Sequence, residues 1–399
     1  MRCCVKVFVQ MTSLGIYVQV PFCQTKCTYC NFYTGVVSSA RFAPYVQSVC
    51  CEIEAHKDLY AAAGIELPLS LADARTDTVY IGGGTPSLLD PSHLQTLLDT
   101  IRAVFSCEPS EITLEADPET IHGEKAAAWV RAGINRVSFG VQSFSDKELA
   151  ASGRMHRRAD IYRAVPILRD VGIANIGFDL IAGLPLQTRE SWQDSLERLT
   201  ELAPEHISVY ILEVDEKSRL GSELLKGGQR YSAGAVPTED EMAEFYELAQ
   251  ESFRGAGYRH YEISNWARPG FESRHNLKYW RREPYMGFGA GAHSFSGTQR
   301  WANAHDAANY VRVVQGRLLP VEQLETLTPE AALEEELFLG LRQLDGINVS
   351  RIEKDYAVTL ASRFDPLASS GLVERNGPVV RLAPSRLSVS NEVFVELLR

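Results

Sequence analysis

Six apolar runs, at 16–22, 78–84, 111–117, 136–142, 175–183 and 206–213, alternate with segments at 40–63, 91–105, 119–132, 157–171 and 189–203 in which apolar residues recur at helical spacing. Each run stays apolar through its centre, which predicts strands covered on both faces. Strand and helix in strict alternation predict an α/β fold with a parallel sheet and crossover helices. From residue 238 the pattern changes to a helix at 239–256, a short strand at 258–264 and the glycine-rich stretch Gly287-Phe288-Gly289-Ala290-Gly291-Ala292-His293-Ser294. Glycines at that density let the backbone approach a ligand or another strand closely. Beyond Thr328 the pattern predicts helices at 329–343 and 350–361, a hairpin at 371–381 and a last helix, an order similar to a winged helix.

Polar and glycine residues collect where the strands end: a cysteine loop, Gly83-Gly84-Thr85-Pro86, Glu115 with Asp117, Gln142, and Asp179. In an α/β barrel that end carries the site. Taken singly each is weak, since a glycine run is commonly a turn and Asp179 could be a satisfied core carboxylate; five on one rim point to function. The loop is the most specific signal. Cys23, Cys27 and Cys30 stand at three-then-two spacing after the first strand. Three thiolates hold a [4Fe–4S] cluster with one iron left open to a small molecule. A zinc site would want a fourth Cys or His, and Phe32 is neither. Eight cysteines in 399 residues with no secretory pattern describe reduced thiols, not a disulfide framework. Cys3, Cys4, Cys50, Cys51 and Cys107 receive no role.

Composition narrows the partners. The chain is 45% hydrophobic and 23% charged with a formal net charge of −11, which disfavours nucleic acid and anionic membranes. Residues 329–399 hold eight Lys and Arg against eleven Asp and Glu, so the winged-helix-like segment lacks a DNA-binding footprint and reads as a docking or lid module. No run is long enough for a transmembrane helix. The start, with Met1 or Met11 as initiator, reads as neither signal peptide nor anchor, so a cytoplasmic location is expected.

The cysteine loop followed by Gly-Gly-Thr-Pro resembles the radical S-adenosylmethionine superfamily. Tyr17-x-x-x-Pro21-Phe22-Cys23, Gly140-Val141-Gln142-Ser143-Phe144, Gly153-Arg154-x-His156 and Asp179-Leu180-Ile181-x-Gly183-Leu184-Pro185 look like its branch of oxygen-independent coproporphyrinogen oxidases and HemW-type haem chaperones. The resemblance runs from about residue 14 to the C-terminus. It implies a partial (β/α)6 TIM-like radical SAM barrel with a winged-helix-like C-terminal domain, divided as 1–14, 15–237, 238–327 and 328–399. It implies S-adenosylmethionine held by Tyr17, Gly83, Gly84, Thr85, Glu115, Gln142, Arg154 and Asp179, with Tyr29 against the adenine. Arg154 would pair with a carboxylate, and Asp179 would accept from ribose hydroxyls or a charged tail.

Two features separate the branches. The oxidases carry a further Cys two positions after the third ligand, where this chain has Phe32. His275-Asn276-Leu277-Lys278-Tyr279-Trp280 matches the haem-associated His-Asn-x-x-Tyr-Trp signature, which implies haem at His275, Tyr279 and Trp280. On composition alone that stretch reads as a solvent-facing His with two core aromatics; the flanking matches reverse the balance. Gln19 replaces a usual His and cannot titrate, and Asp117 replaces a usual Asn. The first expectation is a haem chaperone serving an acceptor protein, its cluster used in redox sensing, release or a homodimer. The second is an oxidase that decarboxylates a porphyrinogen, with Arg157, Arg158 and Arg163 as candidates for propionates.

Overall fold

The structure is a computed structural model describing residues 13–67 and 74–398. Most of the expected N-terminal extension, with Cys3, Cys4 and Met11, lies outside the described residues. All six expected strands form: β1 (Ser13–Val20), β2 (Arg75–Gly83), β3 (Cys107–Ala116), β4 (Arg136–Gln142), β5 (Asn175–Ala182) and β6 (His206–Ile211). They pair in parallel in sequence order, which is the partial (β/α)6 arrangement. The barrel does not close. Next to β1, on the side away from β2, β7 (Tyr285–Phe288) pairs in parallel, and short antiparallel strands extend both edges into one 12-stranded sheet. Those flanking strands were not evident in the hydrophobic pattern beyond the short run at 258–264.

The helices follow from local chemistry. In Pro91–Val104, Asp90 accepts from the Ser92 amide, Pro91 fits the first turn, and Leu94, Leu97, Leu98 and Ile101 form one buried stripe. The segment expected at 119–132 starts later, at Gly123, because Pro118–Thr120 winds as a 3-10 turn; it ends where Gly133 adopts a φ of +100°. A short helix, Asp146–Ala151, was not expected from the pattern; it is capped by Ser145 and delivers Arg154 to the rim. At the C-terminus, Ile347–Asn348, Val373–Asn376 and Val379–Leu382 form a three-stranded sheet beside helices Pro329–Leu341, Val349–Tyr356 and Ala361–Ser369. This is the winged-helix-like arrangement, with the helix expected at 350–361 split into two.

The glycine-rich stretch is a close approach of strands. A Cβ on Gly287 would lie 2.1 Å from the His293 carbonyl oxygen, and Gly289, at φ +100°, packs against the Gln19 carbonyl. A buried carboxylate locks this corner. Glu52, on helix Phe42–Ala62, accepts from the Gly289 amide at 2.9 Å, from Asn303 Nδ2 at 2.6 Å and from the Tyr310 hydroxyl. Burial pushes Glu52 up to about 7, although these three donors pull the other way. Through the window between the free carboxyl value and about 7, the native state keeps a proton that the unfolded chain has lost. Stability therefore falls as pH rises through that window, by about 3 kcal/mol for this group. Thermal unfolding of wild type and Glu52→Gln at several pH values between about 5 and 7.5 should show a shallower decline in the variant; parallel declines would contradict the assignment.

Candidate cofactor site

The cysteine loop leaves β1 at its C-terminal end and is pinned from several sides. Phe22–Cys23 pairs with Gly35–Val36, the Thr28 amide donates to the Ser152 carbonyl at 3.0 Å, and the Leu220 amide donates to the Thr28 carbonyl at 2.8 Å. Thr85, just past β2, donates its amide to the Phe22 carbonyl at 2.7 Å. A Cβ on Gly84 would lie 2.4 Å from that carbonyl oxygen and 2.9 Å from Cys23 Sγ, so glycine is required for strand end and loop to meet. All three thiols are free and partly exposed. Burial pushes Cys23 up to about 11, with the Thr34 and Thr85 hydroxyls opposing. This donor set fits an iron–sulfur cluster. A cubane puts each thiolate on a different iron, so its ligands need not meet at one point. Among the described residues, no three His, Cys, Asp or Glu side chains converge as a single ion would need.

The rim beside the loop is built from the ends of β2, β3 and β4. Glu115 accepts from the Gly83 amide and the Tyr80 hydroxyl, each at 2.8 Å, while Gly83 turns at φ +120°. Burial, with Asp179 and Asp117 near by, pushes Glu115 up to about 7. Arg154 forms an ion pair with Asp117, donates to the Gly140 carbonyl at 2.7 Å, and reaches Cys27 Sγ at 3.7 Å. Asp117 also accepts from Thr85 Oγ1 at 3.2 Å. Gln142 sits at φ +62° beside Gly140, where a Cβ would crowd Asp117, Arg154 and Gln142 together. Burial raises the Asp179 carboxyl, opposed by the Ser208 hydroxyl, by Arg136 and by Ser138, which donates at 3.1 Å. Tyr29 packs on the small apolar cluster of Ile181, in β5, with Leu184 and Leu212, just past β5 and β6. Tyr17 stacks on Tyr80 at 6.0 Å and donates to Gln19, which fills the space beside Gly83.

The His275 motif lies toward the other end of the strands. Helix Arg274–Trp280 presents its first amides, those of Arg274 and His275, to the two Glu111 oxygens, each at 3.0 Å. His275 is fully buried; Nδ1 bonds Thr78 Oγ1 and Nε2 bonds the Tyr279 hydroxyl, each at 2.9 Å. Burial, aided by Lys278 and Arg136, pulls His275 down to about 3, so the ring is neutral. Both nitrogens are committed in this conformation. Lys278 is buried against Asp77 and Glu283, Tyr279 meets Tyr285 edge-on at 4.6 Å, and Arg342 caps Trp280 at 4.3 Å.

Comparison with known proteins decides the family. The radical SAM superfamily profile matches residues 17–199, and the HemN C-terminal domain profile matches 327–385. The chain is 34% identical over 384 residues to the heme chaperone HemW of Bacillus subtilis, covering 95% of this chain and 97% of that one. It is 36% identical to HemW of Synechocystis, covering 89% and 84%. The chain belongs to the HemW family. Its fold is similar to that of Escherichia coli coproporphyrinogen III oxidase (HemN), at a TM-score of 0.81 and 23% identity, covering 98% of this chain and 91% of that one.

In this HemW-family chain the structure brings Gly83, Gly84, Thr85, Glu115, Gln142, Arg154 and the three cysteines to one rim, while His275 lies behind it, its ring 5.3 Å from Tyr80 and 6.4 Å from Tyr17. Arg157 donates to the Arg154, Met155 and His156 carbonyls, while Arg158 and Arg163 pair with Asp194 and Asp160 on an exposed helix face. Arg136 was missed by the sequence reading. It is buried inside the sheet and bonds Thr113 Oγ1 at 3.4 Å; its signal was a lone cation opening an apolar run. Removing Arg154 strands Asp117, so Arg154→Ala should cost about 3 kcal/mol in denaturant unfolding, and Arg154→Lys should recover little because one ammonium cannot span the partners of a guanidinium. Gly84→Ala should cost about 1–3 kcal/mol by overpacking, whereas Gly123→Ala, with open space around it, should not.

Proposed function

We propose that this chain is a haem-binding chaperone that carries a [4Fe–4S] cluster and S-adenosylmethionine and hands haem to an acceptor protein. Membership of the HemW family, whose curated members are named heme chaperones, supports the role. The observation that carries the cofactor part is the three-thiol loop seated against a glycine strand end that no side chain could occupy. Cys23, Cys27 and Cys30 would hold the cluster, whose open iron chelates a small molecule when bound. The rim residues then have distinct tasks. Glu115 and the turn at Gly83 and Gly84 suit a methionyl ammonium, and a cation there would draw the Glu115 proton off. Asp179 and Ser138 suit ribose hydroxyls, with Gln142 and Thr85 bordering the same space. Tyr29 with Ile181 and Leu184 offers an apolar wall for adenine, and Tyr17 with Tyr80 backs the site.

Arg154 is the orienting residue of this site. Its charge is taken by Asp117, so it steadies the loop at Cys27 rather than lying open to a carboxylate. Residues 15–237 would form the cofactor unit, 238–327 the extended sheet edges and 328–399 a docking module, which Arg300 and Arg282 join through Glu335. His275, Tyr279 and Trp280 enter haem binding in this reading through an opening that frees His275 from Thr78 and Tyr279. The acidic balance speaks for a protein acceptor rather than nucleic acid.

Anaerobic reconstitution with iron and sulfide should give a cluster in wild type that is lost in Cys23→Ser, Cys27→Ser and Cys30→Ser, measured as iron and sulfide per chain. Haem titration of the reconstituted protein should show a saturable Soret shift. Vinyl product from a porphyrinogen, without saturable haem binding, would replace the chaperone by the oxidase.

A further inference from the structure

Haem is a flat apolar ring with two carboxylates on one edge, so a site for it needs cations as well as an imidazole and aromatic rings. Lys278, inside the His275 motif, is already taken by Asp77 and Glu283. Two further cations adjoin the motif. Arg282 lies just past the end of helix Arg274–Trp280 and turns at φ +52°, a left-handed conformation uncommon for a residue with a side chain. Arg300 donates to the Tyr285 hydroxyl at 3.1 Å; Tyr285 in turn meets Tyr279 edge-on, and the Tyr279 hydroxyl bonds His275 Nε2.

These two guanidiniums converge on one ring and one carboxylate. Arg282 stands 5.3 Å and Arg300 4.3 Å from the Phe295 ring centre, and both grip Glu335, on helix Pro329–Leu341 of the C-terminal module. Arg300 donates to the two Glu335 oxygens at 2.6 and 2.9 Å, and Arg282 Nε donates to one of them at 3.1 Å. Like charges repel at such spacing unless an anion is shared between them. The arginine side chains are 12% and 27% exposed, so water alone is a poor substitute for that anion. Arg282 Nη2 and Trp280 Nε1 are buried with no hydrogen-bond partner among the described residues, so the corner holds donors that Glu335 does not use. Glu336, next in the chain, is kept within the C-terminal module by Arg351 and the Tyr356 hydroxyl.

Resting on the haem reading above, we propose that Arg282 and Arg300 are the receptor for a haem propionate, and that Glu335 fills it in the resting protein as an internal carboxylate. Exchange of one carboxylate for another keeps the charge balance of the two arginines, which avoids the penalty of leaving buried cations bare. Departure of Glu335 lets Arg300 shift with Tyr285, and Tyr285 supports Tyr279, the ring that closes His275 Nε2. Filling the receptor and uncovering the imidazole are then one event, and the ligand itself loosens the C-terminal module from the His275 helix.

The test titrates the full-length reconstituted protein with ferric haem and with its dimethyl ester, which keeps the ring and the iron but carries no carboxylate charge. The ratio of the two affinities is compared within each variant, so a general loss of stability, which weakens both alike, cancels. Wild type should prefer haem to the ester by at least about tenfold. Arg282→Gln and Arg300→Gln should bring the two affinities close to parity, Arg282→Lys should keep part of the preference, and Arg375→Gln, at an exposed ion pair with Asp365, should keep all of it. Glu335→Gln should bind haem severalfold more tightly than wild type, because the internal competitor has lost its charge. Equal binding of haem and ester by wild type, a wild-type preference in both glutamine variants, or haem bound no more tightly by Glu335→Gln would each overturn the inference and leave the chaperone reading standing. Absence of saturable haem binding in wild type would overturn both.

Discussion

Arg154 holds together three pieces of chain that share nothing in sequence. Its guanidinium meets the Asp117 carboxylate past β3, the Gly140 carbonyl in β4 and the Cys27 sulfur in the loop. A planar fork with donors on several sides can satisfy all of them at once, which a lysine cannot. Desolvation makes such a pair costly unless both members are fully used, and here both are: Asp117 also takes the Thr85 hydroxyl. Asp at this position, where the resembled families show Asn, completes the charge balance of the cation. The rest of the rim depends on this knot, since Thr85 carries the chain from Gly84 against the cysteine loop.

The two ends of the parallel strands have divided their tasks. The C-terminal end gathers glycines, carboxylates with raised protonation values and exposed aromatic rings around the thiols. The other end is packed shut. There the helix Arg274–Trp280 sets its amide end on Glu111, buries Lys278 between Asp77 and Glu283, and closes His275 in. A charged network this buried is a structural brace, and loosening it would need several bonds to break together. Glu52 plays the matching part at the sheet edge, where it gathers Gly289, Asn303 and Tyr310 onto one carboxylate.

The alternation of apolar runs and helical segments determined the six parallel strands and their order, because strands covered on both faces read as unbroken apolar stretches. The thiol spacing and the glycine strand end were equally legible, since short-range chemistry needs those residues at those offsets. What only the tertiary structure decided was every relation between distant segments. Flanking strands of three to six residues carry too little pattern to announce themselves, so the 12-stranded sheet was invisible. The Arg154–Asp117 pair links positions 37 apart, and Arg136 stood only as a cation opening an apolar run until the sheet enclosed it. The His275 motif shows the limit most clearly. Its sequence lists an imidazole and two large rings, but access to a ligand depends on which end of the sheet the helix packs against, and that is set by Glu111, Thr78 and Tyr279 reaching it across the fold.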